Sequence, residues 1–536
     1  MATAGNLSAS LVENAAKLND ERLASLLERQ VRDEESRWYG GFPNRFGLHE
    51  PGPAGGFVKR ATAAFLHPGS RYYGDALLLE RIGLAMAFLE RGQTPDGNVS
   101  LLITNFNSPP DTAFLVRNLA TAAALAQAAE EDRIFSLLDP FLRDAAEGLV
   151  TGGVHSPNHR WVVCAALAQL YGIYGDPAFV DRIDTWLAEE IDIDPHGQYV
   201  ERSTTVYNAV TNNALTMVAL KLDRPELLEP VRQNLDAMAY LLHANGEVVT
   251  EISRRQDLGA RGDLRRYWFA LRTLALRDGN GRYAAMLAPH EPERLDLALL
   301  MEFPGLAGEL PAPEALPEDF ERSYDAYDLT LIRRGDVSIG FFHTGKSGWI
   351  TLRKGEAVIP AVRFASAFFG KGQFVPTHFE RREDGFVFSQ TLHGPYYQPL
   401  GYPNDPERWH EIRAERREQT EVATLHYEGI LKERENGIEV TIRATGTEPV
   451  PLAIEVVLRE GGELTGVDAV EGAEDAYLLA EGFAEYRMGD DVIRFGPGRA
   501  ENSYVRVRGA EAKPDAPCVY LTGYTPFEQT LVFEWE

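Results

Sequence analysis

The apolar residues of this chain change their spacing once, and that change limits the folds open to it. From residue 7 to about 302 they recur at three- and four-residue intervals, in 74–93, 112–129, 132–149, 159–174, 178–190, 205–221, 225–243 and 264–277. That is the period of amphipathic helices. The breaks carry helix-start and turn residues: Thr94-Pro95-Asp96-Gly97, Ser108-Pro109-Pro110-Asp111, Gly175-Asp176-Pro177 and Asp223-Arg224-Pro225. About ten to twelve helices joined by short turns predict antiparallel helical hairpins closed into an α/α toroid. No strict sequence repeat is visible, so a regular solenoid is disfavoured.

Near residue 303 the pattern breaks at Pro304, Pro311, Pro313 and Pro317. Beyond it, alternation takes over: 329–332, 337–342, 349–352, 384–392, 421–432, 437–444, 451–459, 476–486, 491–495, 503–508 and 517–534. Short alternating runs between Gly, Asn and Asp turns predict an antiparallel β domain of two packed sheets. The expected architecture is an α+β multidomain chain. It has an (α/α) toroid over 1–302, a linker over 303–322 and an antiparallel β-sandwich over 323–536.

A length of 536 residues fits more than one domain. With 53 basic and 80 acidic side chains the net charge is −27, which disfavours nucleic acid and anionic membranes as partners. An anionic ligand then needs a local basic pocket, and arginines cluster at Arg254, Arg255, Arg261, Arg265 and Arg266. No apolar run reaches the roughly 18–20 residues of a membrane span. Met1–Gln30 has no basic start and no apolar centre, so no signal peptide is visible and a cytoplasmic location is expected. Cys164 and Cys518 fit no metal spacing and suit a reducing compartment. The sequence leaves a homo-oligomer open. It lacks a phosphate-cradling Gly-rich loop, His-Glu-x-x-His, Gly-x-Ser-x-Gly and a dinucleotide fingerprint.

The chemical lead is Asn158-His159-Arg160, followed by Asp194-Pro195-His196-Gly197-Gln198-Tyr199-Val200-Glu201-Arg202-Ser203 and then Tyr207. An amide can hydrogen-bond a carboxylate, an imidazole can take a proton, and a phenol can give one to a leaving oxygen. The plainer reading makes Asn158 a helix cap and His159 structural. In Glu251-Ile252-Ser253-Arg254-Arg255-Gln256-Asp257, Arg254 and Arg255 can clamp a carboxylate or form surface ion pairs. Asn105, Asn107 and Asp111 lie in a polar turn before a helix, where they can meet sugar hydroxyls or simply cap. In the β half, His343, His378, His393, Tyr396 and Tyr397 are candidates, with His393-Gly394-Pro395-Tyr396-Tyr397 expected to expose aromatics for stacking on sugar rings.

Asn-His at a helix start, then Asp-x-x-Gly-x-Tyr-x-Glu leading to a tyrosine, resembles the heparinase II/III and alginate-lyase group of polysaccharide lyases. The match is strongest over about residues 150–260, and the order of toroid and β-sandwich is similar along the whole chain. The resemblance implies that Asn158 quenches a uronate carboxylate while His159 and Tyr207 act as base and acid. Many members carry a His-x-His-x-Asp-like stretch at the start of the β domain. Here that region is His343-Thr344-Gly345-Lys346-Ser347-Gly348-Trp349, so no metal and no cofactor are expected. The Glu201-to-Tyr207 spacing is also a residue or so longer than the commoner pattern.

The leading expectation is therefore an exo-acting lyase on anionic, uronate-containing oligosaccharides. Its expected catalytic set is Asn158, His159, Tyr207, Glu201 and Asp257, and its substrate contacts are Arg254, Arg255, Arg202, Asn105, Asn107, Asp111, His393 and Tyr397. The alternative is a glycoside hydrolase of exo-glucuronidase type on the same scaffold, using a carboxylate pair from Asp111, Glu201, Glu251 and Asp257. A non-catalytic sugar-binding protein is the third reading.

Overall fold

The computed structural model describes residues 2–403 and 405–535, so Met1, Asn404 and Glu536 of the expected domain spans lie outside it. The chain divides into two compact units, Met1–Leu242 with Gly246–Pro317, and His243–Asn245 with Glu318–Glu536.

The first unit is helical: α1 (Ala2–Arg29), α2 (Pro51–Leu66), α3 (Ala76–Gly92), α4 (Pro109–Ala128), α5 (Asp132–Thr151), α6 (Pro157–Tyr174), α7 (Pro177–Leu187), α8 (Tyr207–Leu222), α9 (Leu228–Met238), α10 (Trp268–Asp278) and α11 (Gly281–Leu287), with shorter turns between and after them. Alternate helices form an inner row. Helix α2 packs on α4, α4 on α6, α6 on α8 and α8 on α10, while α3, α5, α7, α9 and α11 each back an inner neighbour. This is an α/α toroid. The two rows differ in burial as their sequences require. Inner α6 buries every residue from Asn158 to Leu170, including Ala165, Ala166 and Ala168, whose small side chains permit close approach. Outer α7 buries only Phe179 and Ile183. Asp75, Ser108, Glu131 and Asp176 cap α3, α4, α5 and α7. Expected helix 225–243 is shorter, a 3₁₀ turn at Pro225–Leu227 followed by α9, and 264–277 likewise opens with a 3₁₀ turn at Leu264–Tyr267.

A repeat is present after all, in the turns. Gly47, Gly97, Gly197 and Gly246 have φ of 75°, 77°, 78° and 80°. In the first three turns a backbone N–H three residues before the glycine donates to the carbonyl one residue after it: Asn44 to Leu48, Thr94 to Asn98 and Asp194 to Gln198. These turns need a left-handed residue. At Gly97 and Gly197 a Cβ would also strike the backbone oxygens of Asp144 and Gln233. A small antiparallel hairpin, β1 (Val99–Leu101) and β2 (Asn105–Ser108), interrupts the helices. No helix among the described residues is long and apolar enough to cross a membrane.

The second unit contains an eight-stranded and a ten-stranded sheet. Among the described strands the pairings are antiparallel except a short parallel contact between Ala476–Leu478 and Cys518–Tyr524, beside which Ala500 forms an isolated parallel bridge with Thr522. Inward residues of both sheets, among them Ile339, Phe341, Phe364, Phe388, Val440, Leu521 and Phe533, form one buried cluster, the core of a β-sandwich. Strand Ala357–Ser366 has no counterpart among the alternating runs because Pro360 breaks its pattern. Pro360 is exposed, at a register shift against Ile350–Lys354 and beyond the end of the pairing with Pro451–Val457, so its missing N–H removes no ladder bond. The run 503–508 forms no strand, although Val505 and Val507 alternate inward. A first strand at Asp319–Tyr324 pairs with Leu329–Arg334.

Candidate active site

The Asp194–Ser203 motif is rooted in buried amides before it presents anything chemical. Gln198 Oε1 accepts from Asn208 Nδ2 at 2.7 Å, the Tyr199 hydroxyl donates to Asn212 Oδ1 at 2.7 Å, and Asn234 Nδ2 donates to the Gly197 carbonyl at 2.8 Å. The chain then turns at Arg202, whose φ of 50° is left-handed, and Ser203 Oγ accepts the Tyr207 N–H at 3.0 Å to start α8.

Helix α6 has no side-chain cap from Ser156. Its first turn is met by Glu201. Asn158 donates to Glu201 Oε2 twice, from its backbone N–H at 3.2 Å and from Nδ2 at 2.7 Å. A carboxylate at a helix N-terminus satisfies free N–H groups and the helix dipole together. Arg255 completes the cluster. Its Nη1 lies 3.4 Å from Glu201 Oε1 and donates to Ser156 Oγ at 3.4 Å, and its guanidinium carbon sits 4.6 Å over the Tyr207 ring. The Tyr207 hydroxyl donates to Gln256 Oε1 at 3.4 Å.

Asp257 fixes the loop that carries Arg255 and Gln256. It accepts from Ser203 Oγ at 2.9 Å, from Thr205 Oγ1 at 2.7 Å, from the Thr205 N–H at 3.2 Å, and from Ser253 Oγ. Arg254 belongs to the same loop. Its N–H donates to the Glu201 carbonyl at 3.0 Å, its Nη1 donates to the Val200 carbonyl at 3.5 Å, and its side chain faces solvent.

Burial raises the Glu201 carboxyl above its ordinary range, against the pull of the Asn158 hydrogen bonds and the Arg255 charge. For Asp257, burial acts upward too, but the hydrogen bonds from Ser253, Thr205 and Ser203 prevail and lower it. His159 is pushed down to about 4 by burial, then by His155 and Arg255, with Asp111 opposing. It is therefore neutral at neutral pH. Its ring meets His155 edge-to-face at 4.8 Å and Phe114 at 6.2 Å. His159 Nδ1 and Asn158 Oδ1 are buried without hydrogen-bond partners.

The structure thus gathers Asn158, Glu201, Tyr207 and Arg255, with His159 on the next position of α6. The polar turn is engaged locally. Asp111 accepts from Asn105 Nδ2 at 2.9 Å and Ser108 Oγ at 2.6 Å, and Asn107 bridges Thr94 and Asp96. Of these three, Asp111 acts on the cluster through its charge on His159. In the second unit, His393 Nδ1 lies 3.3 Å from Thr424 Oγ1, and Arg413 sits 5.3 Å over Tyr397. His343 stacks on Phe379 at 4.1 Å and pairs with Thr330 Oγ1 at 2.8 Å, a packing role. Among the described residues no three His, Cys, Asp or Glu side chains are grouped to hold a metal ion. Sequence reasoning did not single out Gln256, His155 or Ser203. Ser203 stands four residues before Tyr207, one beyond the reach of an ordinary N-cap serine, so no capping signal marked it.

No family model and no curated protein sequence matches the chain. Solved structures do. Chondroitin AC lyase from Streptomyces coelicolor A3, in complex with chondroitin sulphate, superposes with a TM-score of 0.57 at 14% identity, over 98% of this chain and 79% of that one. The chain shares the fold of this lyase. A xanthan lyase from Paenibacillus gives a TM-score of 0.57 at 10% identity, with 99% of this chain covered and 57% of that one. A heparan sulfate lyase mutant from Pedobacter heparinus gives 0.50 at 10% identity, covering 97% and 82%. In this chain the lyase fold puts Asn158 and Tyr207 on the adjacent inner helices α6 and α8.

Proposed function

We propose that this protein is a polysaccharide lyase that cleaves uronic-acid-containing glycans by β-elimination. The observation that carries the reading is the line of contacts that runs from Asn158 through Glu201 and Arg255 to the Tyr207 ring. Elimination needs the C5 proton of a uronate acidified, a group to take it, and a group to protonate the leaving oxygen. Asn158 Nδ2 and the Arg255 guanidinium are the donors for the uronate carboxylate. They offset the charge that spreads into it as C5 loses its proton. Tyr207 moves the proton. Its phenolate form takes the proton from C5, the C4–C5 double bond forms as the C4–O bond breaks, and the phenol returns the proton to the departing oxygen. The Arg255 guanidinium lies over the ring of this tyrosine. His159, buried and neutral, serves this reading best as a hydrogen-bonding group in the wall rather than as the main base. Glu201 and Asp257 act as positioning residues, the first holding Asn158 and the second holding the Arg255 loop.

The hydrolase reading is less well supported. It needs two carboxyl groups free to face one bond, and the Asp257 oxygens are occupied by Ser203, Thr205 and Ser253. Product analysis tests the choice. A lyase leaves an unsaturated uronate that absorbs in the ultraviolet, and a hydrolase leaves none. Product sizes over time report whether the attack is exo, as the sequence led us to expect.

A further inference from the structure

The second unit holds an aromatic surface that the proposed chemistry does not use. Phe369 is 45% exposed, Tyr396 60% and Tyr504 42%. Phe369 has a φ of 50°, a left-handed conformation that a bulky side chain adopts only at a cost in strain. Its neighbours hold it there. The ring packs on buried Phe368 at 5.0 Å and meets Tyr396 edge-to-face at 5.6 Å. It also lies against Gly394, where a Cβ would come within 2.3 Å of it. A second loop adjoins. Gly509 abuts Gly370 so closely that a Cβ on it would sit 2.5 Å from the Gly370 carbonyl carbon, and the Arg508 N–H donates to the Tyr504 hydroxyl at 3.0 Å.

Charge identifies the occupant. Residues 366–374 and 502–510 carry Lys371, Arg506 and Arg508, and the acids that flank the second segment, Glu501 and Glu511, are paired with Arg499 and Arg363, in a chain of net charge −27. Aromatic faces bind the C–H face of a pyranose, and neighbouring cations select one bearing a carboxylate or sulfate. A lipid surface would ask for aliphatic residues on an amphipathic helix, and none is present in these two loops.

We propose that Phe369, Tyr396 and Tyr504, with Lys371 and Arg508, form a binding platform for an anionic polysaccharide. The platform holds a glycan chain and takes no part in bond cleavage. It stands whether or not the protein proves to be a lyase.

Affinity electrophoresis of the full chain in gels containing alginate, chondroitin sulfate or neutral dextran tests it, with sedimentation run in parallel. Retardation is expected in at least one anionic gel and not in dextran. Phe369→Leu keeps the apolar volume and removes the aromatic face, and Tyr396→Ala removes the second ring. Each should weaken retention roughly five- to tenfold, and Lys371→Gln with Arg508→Gln should weaken it further and reduce its salt dependence. Turnover of the shortest cleaved oligosaccharide should be unchanged in all of them. Absence of retardation in both anionic gels, retention unaltered by both ring variants, or a changed oligomeric state in place of changed retention would each overturn the proposal. Loss of cleavage with retention intact bears on the lyase reading alone.

Discussion

Replacing Asp257 by asparagine removes a charge and changes almost nothing in shape. Three donors converge on Oδ2, from Ser203 Oγ, Thr205 Oγ1 and the Thr205 N–H, and Ser253 Oγ donates to Oδ1. In the variant the amide oxygen can keep the first three, and the Ser253 hydroxyl can rotate to accept from the new NH₂. What is lost is charge assistance. A hydrogen bond to an ionised group contributes about 1 kcal/mol more than a neutral one, and the cost of burying the charge, which the variant no longer bears, offsets much of that gain, leaving a net loss of about 1 kcal/mol. Thermal and urea unfolding, followed at neutral pH, measure it. The pH dependence adds a second check. The Asp257 pKa is lowered in the folded state, so its stabilisation is present above the ordinary value of 3.8 and disappears as pH falls through the folded value. The gap between wild type and Asp257→Asn should be full at pH 7 and close on strong acidification. Folded variant should retain much of its turnover, reduced severalfold because the Arg255 loop is looser. Unchanged stability with abolished turnover would refute the reasoning and make Asp257 a participant in the chemistry, as a hydrolase would require.

Tyr207→Phe should lower kcat by roughly 10²–10⁴-fold and leave KM nearly unchanged, because only a proton transfer is lost; steady-state kinetics on a uronate glycan check it. Arg255→Lys should behave as a severe change, raising KM and lowering kcat, since an ammonium cannot span Ser156, Glu201 and the Tyr207 ring together. Glu201 has a raised folded pKa, so its contribution to stability is complete below the ordinary value of 4.5 and is lost as pH rises through the folded value. Glu201→Gln should therefore gain on wild type in melting temperature as pH is raised from 4 to 8. His159, held at about 4, stays neutral while its unfolded counterpart protonates, so wild-type stability should fall between pH 6.5 and 4, less steeply in His159→Gln.

The division into helical and β halves was legible because burial imposes a period, and the apolar residues of α5 and of strands such as Gly437–Gly446 carry it. Strand Ala357–Ser366 was hidden by Pro360, since tolerance of a proline depends on which pairing it escapes. The helical repeat lies in glycine φ angles rather than in apolar spacing, so no recurring apolar segment reveals it. At the site, the sequence named Asn158, Glu201 and Tyr207 but not their relation. That Glu201 receives the Asn158 amide depends on two segments 43 residues apart meeting at one helix start. The setting of Asp257 was hidden for a related reason. Four donors from Ser203, Thr205 and Ser253 reach this carboxylate, and three of them lie more than fifty positions away.

The most direct measurement incubates wild type and Tyr207→Phe with a panel of uronate-containing polysaccharides, alginate, chondroitin and heparan sulfate among them, and follows ultraviolet absorbance and reducing ends together. For wild type the account predicts that both signals rise in parallel on at least one substrate, and that neither rises appreciably for Tyr207→Phe. Reducing ends without absorbance, or equal rates for the two proteins, would contradict it.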